Sequence, residues 1–98
     1  MRYLRVQWIH FHPGEPIEIY SEATEDGWEM RKVELFRDGS VGFASPSEGM
    51  GSTMLSLEPL PSLEEIASDP QFKPAEISRE EFEKMWEKRL QPSIAKPA

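Results

Sequence analysis

An amphipathic helix is encoded in the segment Ile77-Ser78-Arg79-Glu80-Glu81-Phe82-Glu83-Lys84-Met85-Trp86-Glu87-Lys88-Arg89-Leu90. Ser78 and Glu81 have the spacing of a capping box, in which each side chain binds the backbone N–H of the other residue. Ile77 and Phe82 flank this box as a hydrophobic staple. The cap and the staple agree on one start, so the sequence predicts a helix from about Ser78 to Leu90.

One face of the predicted helix is apolar. Phe82, Met85, Trp86 and Leu90 recur at helical spacing and form one stripe. Acidic residues fall in the first turn and basic residues in the last turn, which complements the helix dipole. Such a stripe has to cover another element, and a sheet face is the candidate.

The N-terminal residues predict a strand. Residues 3–10 alternate, with Leu4, Val6, Trp8 and His10 on one face. We expect the helix to pack on the face that carries Leu4, Val6 and Trp8, which gives a two-layer α+β arrangement.

The middle of the chain predicts an antiparallel β-meander of about four to five strands. Asp26-Gly27 and Asp38-Gly39 are pairs that favour hairpin turns between neighbouring strands. The predicted strands after the first are 17–22, 28–36, 41–44 and a short one at 53–57. Within 28–36 the apolar residues do not all fall on one face: Val33 and Leu35 alternate on one face, while Trp28, Met30 and Phe36 fall on the other. Either a bulge or burial on both faces is therefore expected.

The remaining segments complete a single predicted α+β domain over residues 1–90. Residues 45–52 form a polar loop with two glycines. Ser62 and Glu65 predict a second capping box and one short helix. Residues 91–98 are predicted to be a flexible C-terminal tail.

Composition narrows the class of protein. The chain has 98 residues, no cysteine and a formal net charge of −7. The lack of cysteine excludes disulfides, a thiolate nucleophile and thiolate metal ligands. The sequence has neither a signal-peptide pattern nor a membrane-spanning apolar run, so a cytoplasmic location is the default expectation.

Acidic residues are concentrated in one part of the sequence. The residues predicted to bind a partner are Glu15, Glu18, Glu22, Glu25, Asp26, Trp28 and Glu29. This charge disfavours nucleic acid and anionic membranes and favours a basic protein partner. Trp28 is either an exposed aromatic anchor or an edge of the core. The alternative for the carboxylates is that they only keep a small domain soluble.

Catalytic and metal-binding groups have weaker support. His10, His12 and Glu15 have a spacing that would allow a metal site, although Pro13 takes His12 out of alignment with the strand. His10, Glu15, Tyr20 and Arg31 are residue types that serve acid–base catalysis, but they occur in most acidic domains. We therefore predict no catalytic residue, no metal and no cofactor.

Several short motifs resemble a family of small bacterial domains of unknown function. They are Trp8-Ile9-His10, Pro13-x-Glu15-Pro16, Tyr20-Ser21-Glu22, Arg31-Lys32-Val33-Glu34, Phe36, Asp38-Gly39, Pro59-Leu60-Pro61, Glu64-Glu65-Ile66, Phe72, Ile77-Ser78, Phe82 and Trp86. The resemblance covers nearly the whole chain and implies a stand-alone protein of about this size without assigned catalytic residues. By analogy, small acidic bacterial proteins of this kind are similar to immunity proteins, which neutralise a toxin.

The leading functional hypothesis is a protein-binding domain, an immunity protein of the toxin–antitoxin type, that meets a basic toxin through its acidic surface. The second is a small enzyme or ligand-binding domain with a pocket near His10, Glu15 and Tyr20. The third is a structural accessory protein that dimerises through an exposed sheet edge. The sequence leaves the oligomeric state open.

Overall fold

The fold is a six-stranded antiparallel sheet with two helices. The computed structural model describes residues 1–51 and 53–89. Its elements are β1 (Arg2–Trp8), β2 (Pro16–Ala23), β3 (Glu29–Phe36), β4 (Val41–Ala44), β5 (Gly49–Met50), α1 (Leu63–Ala67), β6 (Phe72–Glu76) and α2 (Arg79–Lys88). The strand order is β5-β4-β3-β2-β1-β6, so the predicted meander and the α+β class are confirmed.

The sixth strand was not predicted. β6 pairs antiparallel with the free edge of β1, where Phe72 lies opposite Trp8 and Pro74 opposite Val6. Pro74 lies within this strand, although proline has no N–H to donate to the ladder. It is tolerated here because β6 is an edge strand of the sheet.

The strand predicted at 53–57 was wrong, and the sheet ends instead at β5. Side chains of β3, rather than a backbone ladder, hold this segment. The Lys32 ammonium donates to the Met54 carbonyl at 3.0 Å, and the Ser56 N–H donates to Glu29 at 2.7 Å. Polar side chains from the sheet therefore replace strand pairing along this part of the chain.

The change of parity in the third predicted strand comes from a bulge. The β2–β3 register shifts between Glu22, which pairs with Arg31, and Ala23, which pairs with Glu29. Met30 is thus the extra residue of β3 at that point. Both faces of the strand are also covered, so each of the two explanations for the parity change applies.

Helix α2 begins where its sequence predicts. Ser78 is the N-cap, the Glu81 N–H donates to its hydroxyl at 3.1 Å, and the Glu81 carboxylate accepts the Ser78 N–H. Leu90 and the predicted tail at 91–98 lie outside the described residues. Within the described ranges, neither helix has the length and apolar character needed to cross a membrane.

The predicted packing face of α2 was wrong. The Tyr3 ring lies 5.7 Å from the Phe82 ring of α2, measured between centroids, and Tyr3 alternates with Leu4 along β1. The helix therefore covers the face opposite Leu4, Val6 and Trp8. The reason is connectivity: α2 follows edge strand β6 almost directly, while α1 and the segment before it occupy the other face.

Candidate functional site

The seven residues predicted to bind a partner do not share one surface. Glu15 precedes β2 and Glu25 follows it, and β2 is eight residues long. At about 3.4 Å per residue, the two carboxylates lie at opposite ends of a strand of roughly 27 Å. Glu22 and Glu29 are buried on opposite faces of the sheet. The structure therefore divides this group into internal and exposed members.

Glu22 is part of an ion-pair network beneath α2. Arg31 donates to both Glu22 carboxylate oxygens at 2.7 Å and to the Glu83 oxygens at 3.1 and 2.8 Å. The same guanidinium lies 5.0 Å from the centroid of the Phe82 ring and 5.1 Å from a ring of Trp86. Two carboxylates and two aromatic rings thus hold one cation, and this network joins α2 to the sheet.

Arg31 changes the titration of both carboxyls. Hydrogen bonds from Arg31 hold the pKa of Glu22 and the pKa of Glu83 below the ordinary value of 4.5. The same bonds raise the pKa of Arg31. Because the carboxyls bind protons less readily when folded than when unfolded, their contribution to stability is complete above about pH 4.5. This contribution to stability is lost as the pH falls through the pKa values that the two carboxyls have in the folded protein.

We expect this network to make the protein sensitive to acid. The free energy of unfolding of the wild type should fall as the pH drops from about 5 towards 2, and the fall should be smaller in Glu22→Gln, which cannot take up the proton. Urea unfolding at a series of pH values measures this difference. Glu87→Gln, a change at an exposed position of α2, is the matched control and should keep the wild-type slope. Equal slopes for wild type and Glu22→Gln would contradict the assignment.

Glu29 is the second internal carboxylate, and its side chain is fully buried. It accepts the Ser21 hydroxyl at 2.8 Å and the Ser56 N–H at 2.7 Å, and the Lys32 ammonium lies 3.0 Å away. Three donors therefore satisfy the charge. Glu29 serves to fasten the segment around Ser56 to the sheet.

Glu18 has a partly internal role. Its side chain is half-buried, accepts the Tyr20 hydroxyl at 3.4 Å and lies 4.0 Å from the Arg5 guanidinium. Burial, followed by the nearby charge of Glu18, raises the pKa of Tyr20. Tyr20 and Glu18 therefore form a local pair on the α2 face of the sheet.

Three of the four exposed members, Glu25, Asp26 and Trp28, lie at the β2–β3 turn, whereas Glu15 lies before β2. Gly27 has a φ of 96°, a left-handed conformation that the predicted Asp-Gly turn requires. The Thr24 hydroxyl accepts the Trp28 N–H at 2.9 Å and donates to Asp26. Glu25 is exposed, and one of its oxygens lies 2.6 Å from the N-terminal amino group. The turn thus presents Glu25, Asp26 and Trp28 to solvent.

A second segment lies beside this turn. The Leu60 N–H donates to the Gly27 carbonyl at 2.8 Å, so both residues that flank Trp28 are bonded to the chain between positions 56 and 60. Trp28 is 46% exposed, Met54 is 69% exposed and Leu57 is 85% exposed. We call this region the turn surface and define it as Glu25, Asp26, Trp28, Met54, Leu57 and Glu58.

Met54, Leu57 and Glu58 were missed as surface residues. The alternation of 53–57 indicated a strand, which would have buried one set of apolar residues in the sheet. In the structure the segment forms no strand, and it is bonded to β3 through the Lys32 ammonium and the Glu29 carboxylate. The sequence left open whether Trp28 is exposed or belongs to the edge of the core. In the structure its side chain is at the surface.

The histidines do not form a metal site in the described structure. The His12 N–H donates to His10 Nδ1 at 2.9 Å, so Nε2 carries the proton and donates to the Pro16 carbonyl at 2.7 Å. Both ring nitrogens of His10 are therefore occupied. Across residues 1–51 and 53–89, no group of three histidine or acidic side chains is placed to hold a metal ion.

The predicted pocket near His10, Glu15 and Tyr20 is not assembled. The His10 ring packs 4.2 Å from the Trp8 ring, whose side chain belongs to the face opposite Tyr20. Glu15 is exposed in the connection before β2. The three side chains therefore diverge.

The fold and these contacts define a small α+β protein with one antiparallel sheet, a helix on each face and an acidic, partly apolar turn surface. Residues 2–91 match the family described as Domain of unknown function (DUF6881), and the chain belongs to that family. The resemblance to a family of unknown function is thereby confirmed. Comparison with curated proteins and with solved structures gives no match in either case.

Proposed function

We propose that this protein is a protein-binding domain and that the turn surface contacts a basic partner. One observation carries the proposal: three exposed apolar side chains, Trp28, Met54 and Leu57, occur on two segments that are bonded to each other. Exposed tryptophan is enriched at binding hot spots, and grouped apolar exposure is uncommon on a surface without a partner.

The charge of the turn surface supports a basic partner. Glu25, Asp26 and Glu58 are exposed around the apolar residues, and the chain has a net charge of −7. An apolar centre with a charged rim is the usual anatomy of a protein interface, and opposite charge speeds association. An immunity protein that neutralises a basic toxin in the cytoplasm is the specific form of the proposal. Nucleic acid and anionic membranes remain disfavoured by the same charge.

Trp28→Ala should weaken binding of such a partner at least tenfold, or about 1.4 kcal/mol, without changing the melting temperature. The probes are the purified basic proteins encoded beside the gene, and isothermal titration calorimetry measures the dissociation constant. Phe11→Ala is the matched control, because Phe11 is an exposed aromatic residue at the other end of the sheet. Unchanged affinity in Trp28→Ala, or an equal loss in Phe11→Ala, would contradict the proposal.

The charge of the rim can be tested separately. Neutralising Glu25, Asp26 and Glu58 to their amides should weaken the complex and reduce its sensitivity to salt. The control neutralises Glu64, Glu80 and Glu87, which changes net charge equally. If both triple variants weaken the complex equally, net charge and not this surface is responsible.

A dimerising role through a sheet edge has less support. The edge strand β6 carries Lys73 and Pro74, residue types that blunt edges against pairing. At the other edge, β5 has only two residues. Neither edge presents a long ladder for a second copy.

A further inference from the structure

A cleft lies between the sheet and α1, on the face away from α2. Its volume is about 350 Å³, within the range of small-molecule sites. Its apolar walls are Leu4, Val6, Ile19, Leu60, Ile66 and Phe72. None of these residues belongs to the turn surface.

The cleft exists because α1 does not close onto the middle of the sheet. Helix α1 packs chiefly against edge strand β6, and none of its five residues is buried. Ile66 in α1 stays half-exposed above Leu4 and Ile19. The cleft is open to solvent, and its apolar lining offers contact area that a ligand would cover.

Charged groups in the cleft determine which ligand fits. Glu29 and Lys32 form an ion pair at one side and cancel each other. Glu65 and Asp69 also line the cleft, and neither has a cationic partner among the described residues. Each uses one carboxylate oxygen locally: Glu65 accepts the Ser62 hydroxyl and Asp69 accepts a backbone N–H. Two carboxylates are therefore left to attract a cation.

We propose that this cleft binds a small organic amine, with its apolar body against the sheet and its ammonium group at Glu65 and Asp69. At the roughly 30 Å³ that one water molecule occupies in the liquid, a volume of about 350 Å³ has room for about a dozen water-sized groups. The buried side of the cleft excludes water from the apolar body, and the carboxylates select the charge. The residues that line this site are not members of the turn surface, and the proposed ligand differs from the proposed protein partner.

The test compares 4-phenylbutylamine with 4-phenylbutyrate, which have the same apolar body and opposite charges. NMR titration of the ¹⁵N-labelled chain should show saturable binding of the amine, with shift changes at Leu4, Ile19 and Ile66. The carboxylate should bind at least tenfold more weakly. Equal affinity for the two probes, or amine shifts confined to residues outside the cleft, would overturn the proposal.

Variants assign the charge selectivity. Glu65→Gln with Asp69→Asn should weaken amine binding about tenfold, because each amide retains the local oxygen but not the charge. Glu64→Gln is the matched control on the same helix and should bind as wild type. Equal weakening in the control would overturn the assignment. Trp28→Ala should leave amine binding unchanged, which separates this site from the proposed partner surface.

Discussion

Phe82→Ala is expected to lower the free energy of unfolding by about 3–5 kcal/mol, a large fraction of the stability of a small domain. Phe82 is fully buried and is the buried residue of α2. Its ring lies 5.7 Å from the Tyr3 ring and 6.4 Å from a ring of Trp86, and the Arg31 guanidinium lies 5.0 Å from its centroid. Truncation removes the packing of Phe82 against the sheet and leaves a cavity beside a charged network, while the contact between Trp86 and Phe43 remains.

Guanidinium chloride unfolding followed by far-ultraviolet circular dichroism measures this loss. Phe11→Ala is the matched control, because Phe11 is 93% exposed and the same atoms are removed from solvent-exposed surface. We expect the control to lie within about 0.5 kcal/mol of the wild type. A loss below about 1 kcal/mol for Phe82→Ala would mean that α2 contributes little to the fold, contrary to the packing described.

Arg31→Met is also expected to lower the free energy of unfolding by about 3–5 kcal/mol, but for a different reason. Methionine retains an apolar stem beneath Phe82, but it leaves Glu22, whose side chain is 9% exposed, without its cation. A buried carboxylate that loses its cation keeps its desolvation penalty and loses the compensating charge. Most of the expected loss is therefore the unpaired charge of Glu22.

A second substitution tests this explanation. Adding Glu22→Gln to Arg31→Met removes the stranded charge and should restore a substantial part of the stability at neutral pH. Arg79→Met is the control for loss of a basic residue: its guanidinium lies 3.7 Å from Glu83, but its side chain is 76% exposed. We expect it to cost at most about 1 kcal/mol. If the double variant were no more stable than Arg31→Met alone, lost packing rather than lost charge would explain the effect.

The distribution of carboxylates narrows the functional proposal. The net charge includes every acidic residue, whether buried or exposed. Glu22 and Glu29 are buried and bonded within the fold, and Glu18 is half-buried. Glu15 is exposed but lies at the other end of β2. The surface proposed for a partner therefore includes only Glu25, Asp26 and Trp28 from the predicted set. Residues of the neighbouring segment complete it.

Local interactions are the part of this structure that the sequence by itself determined. The start of α2 depends on Ser78 and Glu81, which are close enough in the chain to cap each other in any context. The Asp-Gly turn at Gly27 depends on one residue that tolerates a positive φ. Alternation within single segments likewise predicted β1 and β2, because side chains on a strand alternate between its two faces. The two Asp-Gly pairs delimited β3 and β4.

Only the tertiary structure determined which elements pack against each other. Alternation along β1 shows that two faces exist, but only the position of β6 and α1 places α2 on the Tyr3 face. Arg31 meets Glu83 across 52 positions of sequence, and Ser56 meets Glu29 across 27. Such contacts depend on the packing of whole elements and leave no local pattern. For that reason the burial of two carboxylates, the turn surface and the cleft beside α1 follow only from the folded chain.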